Sequence, residues 1–191
     1  MKICSNALII ASTAVAYFLL FQINSYLFST FGYSEGVNWI FLPSGLRVAF
    51  VLLFGVPGAI GIALSSMAIG YLYYFDGDLV SIIGTGVISG FAPWLARLIC
   101  VDRLMLDVNL QNLTAAALLK ISVIFAVLSP LLHQLWFTWR GHTEYFVNST
   151  AVMAVGDLVG TIAMLYAAKL LLALVPAIGQ NGRREALLSE R

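Results

Sequence analysis

Six apolar runs separated by short polar loops constrain this chain more than any other feature. They fall at about residues 7–28, 39–54, 58–75, 79–101, 113–137 and 147–174. A hydrocarbon core about 30 Å thick takes about 20 residues of helix, and no backbone group can go unpaired inside it, so helices are the expected spanning form. Composition agrees: of 191 residues 61% are hydrophobic and only 10% charged, and the mean hydropathy is +0.94. Such values lie far outside an ordinary soluble domain. The expected fold is all-α, a polytopic transmembrane helical bundle of about six spans over residues 1–176, followed by a short polar tail at 177–191. The second run is short and broken near its start by Pro43, and the last is long enough to tilt or project.

Orientation follows from the basic residues in the short loops. Lys2, Arg97, Arg103, Arg183, Arg184 and Arg191 fall on one side, whereas Glu35, Asp76, Asp78 and Glu144 face Arg140 alone on the other. The positive-inside rule then puts both termini in the cytoplasm, with a bacterial inner membrane as the expected location. Lys2 and the apolar run after it imitate a secretory signal, but the small residues at 11–16 lie inside the run, so an uncleaved first span is expected. Cys4 and Cys100 fall at the cytoplasmic ends of their spans, where a disulfide is not expected. Lys120 and Lys169, near inner ends, are expected to snorkel. With a formal charge of +1, nothing in the chain calls for nucleic acid as a partner.

Against this apolar background a few polar residues stand out. Arg47 sits inside the second run just after Pro43-Ser44-Gly45, and an ionisable residue at membrane depth is costly unless it meets a partner or a wet cavity. At 1.5 Å per residue Arg47 lies about 12 Å below Trp39, and Asp157 lies about 15 Å below Val147, so the two are expected at similar depth and within reach of pairing. His133 follows Pro130, which opens its helix, and Gln134 comes next. Arg47, Asp157, His133 and Gln134, with Ser44 and Asn38 above them, are the candidate ligand-binding or switch residues of an outward-facing polar pocket. Two meanings stay open for Arg47 and Asp157: a buried pair that fixes helix register, or a ligand-sensitive switch. His133 is either an interfacial histidine or a proton sensor.

Other features have plainer readings. Aromatic residues at 31–41, 71–75 and 136–146 form an expected interfacial belt, and glycines at 55–61, 84–90 and 156–160 let helix backbones approach closely. Asp76 and Asp78 flank Gly77 in an expected solvated turn. No HExxH, nucleophile elbow, phosphate-cradling glycine loop or His/Cys/carboxylate cluster at metal spacing occurs, so neither an enzyme nor a metal or organic cofactor is expected.

The run WIFLPSGLRVAFVLLFGVPGAIG resembles the WxPxG, apolar run, FG and PG pattern of the membrane-associated sensor domains of the first type (MASE family). GDLVGTIAMLYAAKLLL resembles that family's closing Gly-Asp helix, and TGVISGFAPWLAR its middle helix. Together these cover about residues 39–172. The resemblance implies a bacterial sensory membrane module, although the family usually has about eight spans and precedes a kinase or cyclase domain, neither of which is seen here. The expected function is therefore a stand-alone sensor-like module that binds a small ligand and acts through a separate cytoplasmic partner or a second copy of itself. A small-solute transporter, or the substrate-binding membrane subunit of one, is the alternative.

Overall fold

The computed structural model describes residues 2–34, 36–104 and 115–189, with side chains at 4–34, 36–100 and 116–167. Within these lie six α-helices: α1 (Lys2–Leu27), α2 (Pro43–Phe54), α3 (Val56–Ile69), α4 (Leu79–Leu104), α5 (Ala115–Arg140) and α6 (Phe146–Ser189). A short antiparallel hairpin, β1 (Gly32–Ser34) and β2 (Val37–Asn38), separates α1 from α2, and a wider π-helical turn, Gly70–Tyr74, extends α3. The start of the fifth apolar run, at 113, and the side chain of Lys169 lie outside the described residues. Residues 177–189 continue α6 as helix.

Five segments are long and apolar enough to cross a membrane: Cys4–Leu27, Val56–Tyr74, Leu79–Cys100, Ala116–Arg140 and Phe146–Ala167. The second apolar run is the exception. Only Pro43–Phe54 is helical there, and 12 residues reach about 18 Å, short of the hydrocarbon thickness. Helix α2 starts at Pro43 because proline's fixed φ and missing N–H suit the first helical position. The residues before it are held by neighbours instead of by a helix. Asn24 Oδ1 of α1 accepts the Leu42 N–H at 2.9 Å, Asn24 Nδ2 donates to Ile40 O at 3.4 Å, and the Phe41 N–H donates to Gly156 O at 3.3 Å.

Apolar side chains face outward and polar ones inward. On α5 the four-residue period separates two stripes: Leu119, Val123, Val127, Leu131 and Leu135 are exposed, whereas Ala117, Ile121, Phe125, Ser129, His133 and Phe137 are buried. Thr13, Tyr17, Phe21 and Asn24 form the buried stripe of α1. This arrangement suits a lipid surround, where the outer face needs no polarity and the inner face can collect it.

Contacts fix the helix directions. Gln22 Nε2 of α1 donates to Tyr73 Oη beyond α3 at 3.0 Å, and Gly61 of α3 abuts Ile10 and Thr13, so α1 and α3 run parallel. Their C-terminal ends, the β-hairpin, the α3–α4 turn and the α5–α6 turn gather at one end of the bundle, called here the hairpin end. Exposed Phe31, Tyr33, Trp39, Tyr71, Tyr73, Trp139 and Tyr145 ring it, as an interfacial belt would. Glycines allow the closest crossings: a Cβ on Gly160 would overlap Phe41 O, one on Gly156 would overlap Asn38 O, and one on Gly84 would enter the Trp136 ring.

The Gly160 crossing makes a testable demand. Gly160→Ala should destabilise the protein by about 2 kcal/mol or more, because the extended strap at 39–42 must move off α6. Gly32→Ala, whose Cβ would meet its neighbours no closer than 3.5 Å, should change little. Denaturant unfolding in detergent micelles distinguishes the two.

Candidate functional site

The side chain of Arg47 leaves α2 for the centre of the bundle and is only 4% exposed. Its Nε donates to Tyr17 Oη of α1 at 2.8 Å, and Nη1 reaches Ser129 Oγ of α5 at 3.5 Å. The guanidinium carbon also lies 5.5 Å from the Tyr17 ring centre and 5.1 Å from that of Phe41, within cation–π range. Nη2 makes no hydrogen bond among the described residues. All the groups that Arg47 touches directly are therefore neutral.

Next to it on α5, His133 is 2% exposed. Its Nδ1 lies 2.8 Å from the Ser129 carbonyl, which can only accept, so Nδ1 carries a proton. In the neutral ring Nε2 then accepts from the Ser89 hydroxyl of α4, 3.1 Å away. Ser89 ends a ladder of hydroxyls at four-residue spacing on α4, Ser81, Thr85 and Ser89, which leads from the hairpin end to His133. Thr85 Oγ1 and, on α3, Ser66 Oγ are buried without a hydrogen-bond partner.

These groups line a half-enclosed cavity of about 70 Å3 between α1, α3, α4 and α5. Arg47, His133, Ser89, Thr85, Ser66 and Tyr17 supply its polar wall, and Phe21, Phe41, Tyr74, Phe75 and Phe137 the apolar one. Gly36, Asn38 and His142, also in the lining, bring it to the surface at the hairpin end. The π-helical turn contributes Gly70 and Tyr74, and such local widenings often accompany functional sites.

Of the six residues singled out by sequence, Arg47, His133 and Asn38 line this cavity, whereas Ser44, Gln134 and Asp157 do not. Ser44 fastens α2 to α6: its Oγ sits 2.7 Å from Phe41 O and 2.8 Å from Asp157 O, and accepts from Thr161 Oγ1 at 3.2 Å. Gln134 turns toward α6, where Nε2 meets Met153 Sδ at 3.9 Å, and its Oε1 accepts from Thr143 Oγ1 of the α5–α6 turn at 2.8 Å.

The expected direct pairing of Arg47 with Asp157 is corrected. Asp157 is fully buried, neither of its carboxyl oxygens makes a hydrogen bond of good geometry among the described residues, and no ion pair joins it to Arg47. The reason is geometric. Ser129 stands between them: Arg47 Nη1 lies 3.5 Å from its hydroxyl, and the Asp157 carboxyl faces the same residue, while Nε goes to Tyr17.

At the cavity mouth the acidic turn is more than solvated. Asp78 caps α4, its Oδ1 accepting the Val80 and Ser81 N–H groups at 3.2 and 3.3 Å. Its Oδ2 accepts from Ser81 Oγ at 2.5 Å and from Arg140 Nη2 at 2.9 Å. Since Ser81 gives its one proton to Asp78, the Nε2 of His142, 2.9 Å from Ser81 Oγ, must be the donor there. The Ser81 hydroxyl first, and then Arg140, hold the Asp78 carboxyl well below the usual carboxylate range. Asp76 stays exposed, with φ at 40°.

Comparison with protein-family models, with curated proteins and with solved structures found no match. The resemblance to the MASE sensors therefore rests on the quoted residues alone.

The mouth cluster predicts coupled effects. Asp78→Asn and Arg140→Gln should each lower the unfolding midpoint in detergent, and the double variant should lose less than the two losses added together. A depressed folded-state pKa gives stability that is fully present above the ordinary carboxylate range and fades only as the pH falls through it. The loss in Asp78→Asn should therefore be the same at pH 7 and pH 9 and shrink only in strong acid.

Proposed function

We propose that this chain is a sensor-like, small-ligand-binding module of a bacterial inner membrane, with both termini in the cytoplasm and the hairpin end toward the periplasm. One observation carries the reading: a half-enclosed cavity that reaches the hairpin-end surface and is walled by a buried arginine, a buried histidine and unpartnered hydroxyls. Polar groups are expensive at membrane depth and are retained there for function by default. The basic residues of the loops and the resemblance of residues 39–172 to sensory membrane domains support the same reading.

A ligand in this cavity meets α1 through Tyr17, α2 through Arg47, α3 through Ser66, α4 through Ser89 and α5 through His133. Its occupancy therefore bears on the packing of five helices at once. Helix α2 gives the response a route across the bundle. It is short and ends at Gly55, whose φ of 60° turns the chain directly into α3 at the end opposite the hairpin. A ligand that favours one placement of α2 shifts that turn, and a cytoplasmic partner or a second copy of the chain reads the shift.

Saturable binding is the expected result when purified protein is screened against small solutes by thermal unfolding. A ligand at a hundred times its Kd adds about 2.7 kcal/mol of stability. Ser66→Leu, which fills the cavity, should abolish the shift. In proteoliposomes a bound solute should not cross faster than through protein-free vesicles; flux that depends on the protein would favour the transporter reading instead.

A further inference from the structure

We infer that the ligand of this cavity is a small carboxylate bearing a short apolar group, its carboxylate held on the Arg47 guanidinium. The inference rests on the ligand-binding reading above and adds the chemical class. Four observations lead to it.

The first is the state of Arg47. Guanidinium groups stay charged at any physiological pH, and a buried one is normally met by a carboxylate in forked geometry. Here the direct partners are a phenol, a serine hydroxyl and two aromatic faces, Nη2 has no partner, and Asp157 stands back from contact. The cavity wall thus presents a fork with one prong free.

The second is the sign of the wall. Among the described residues no acidic side chain lines the cavity, and its one permanent charge is positive. Cations are disfavoured here, and an anion gains in a site largely shielded from water.

The third is the supply of donors. Tyr17 Oη accepts from Arg47 Nε, which leaves the phenol proton to donate elsewhere. Ser66 Oγ and Thr85 Oγ1, on residues of the lining, are buried without a hydrogen-bond partner among the described residues, and each carries a proton. Such groups are destabilising unless something accepts from them, and a carboxylate has about four acceptor positions on two oxygens.

The fourth is size and the remaining wall. About 70 Å3 is roughly half the volume of an engineered cavity that admits benzene, so a few heavy atoms fit. Phe21, Phe41, Phe75 and Phe137 face the rest of the ligand, which makes an alkyl chain a better occupant than a bare inorganic ion. Entry from the hairpin end passes His142, which lines the cavity beside the Arg140–Asp78 ion pair.

The test is thermal unfolding and calorimetric titration of the full chain in nanodiscs, with sodium acetate, propionate and butyrate against sodium chloride, propylammonium chloride and propionamide at matched ionic strength. Saturable binding of at least one carboxylate is expected. Arg47→Met should weaken it by roughly tenfold or more, as befits loss of a charge-assisted pair. Because Arg47→Met can also disturb folding, Arg47→Lys and Ser66→Ala are measured alongside: each should weaken propionate, and Ser66→Ala should leave the unliganded unfolding midpoint close to wild type. Equal binding of chloride, or carboxylate binding that survives all three substitutions, would overturn the assignment. Saturable binding of propionamide or propylammonium without propionate would overturn the carboxylate class and leave the ligand-binding reading standing, whereas absence of binding by every probe would remove both.

Discussion

Everything at the centre of this molecule depends on how one guanidinium is kept among apolar helices without a carboxylate in contact. A lone charge in hydrocarbon is intolerable, and the usual remedy is an ion pair or a route to water. Here the charge is shared out: a phenol oxygen on α1, a hydroxyl on α5, the faces of Tyr17 and Phe41, and a polar cavity on the remaining side. Each partner sits on a different element, so the position of Arg47 reports on the packing of the bundle around it.

The supporting structure follows from that need. Helix α2 must begin deep enough to deliver Arg47 to Tyr17, and an extended strap does this where a full span would not. The strap in turn needs a smooth surface to lie on, which Gly156 and Gly160 provide, and a clamp for its backbone, which Asn24 provides. Ser44 and Thr161 then tie the start of α2 to α6. In lipid, where apolar burial between helices contributes little net driving force, such close crossings and buried hydrogen bonds carry much of the association.

Much of the architecture could be read from the sequence. Hydropathy and run length gave four of the helices and the start of α6 to within a few residues, because bilayer thickness acts on each segment locally. The run 39–54 is helical only from Pro43, because the Ile40–Leu42 backbone pairs with Asn24 and Gly156, contacts that no local pattern encodes. Depth reasoning brought Arg47, His133 and Asn38 to one cavity but misjudged Asp157, since depth fixes level and not azimuth. Azimuth was partly available. The four-residue spacings Thr13–Tyr17–Phe21, Ser81–Thr85–Ser89 and Ser129–His133–Phe137 mark inward faces, and reading them would have found Tyr17, Ser89 and Ser129 beside the charged residues. That Asp78, Ser81, Arg140 and His142 meet was beyond such reasoning, because two turns must first be brought together.

The central claim, a positively charged cavity open at the hairpin end, is tested most directly by thiol chemistry. In a background with Cys4 and Cys100 replaced by Ser, Ser66→Cys should react with small methanethiosulfonate reagents added from the hairpin side, whereas Ser122→Cys, buried away from the cavity, should not. The anionic sulfonate reagent should outpace its cationic ammonium counterpart at Ser66→Cys, and adding Arg47→Gln should remove that preference. Protection of Ser66→Cys from both reagents, or faster reaction with the cationic one, would contradict the account.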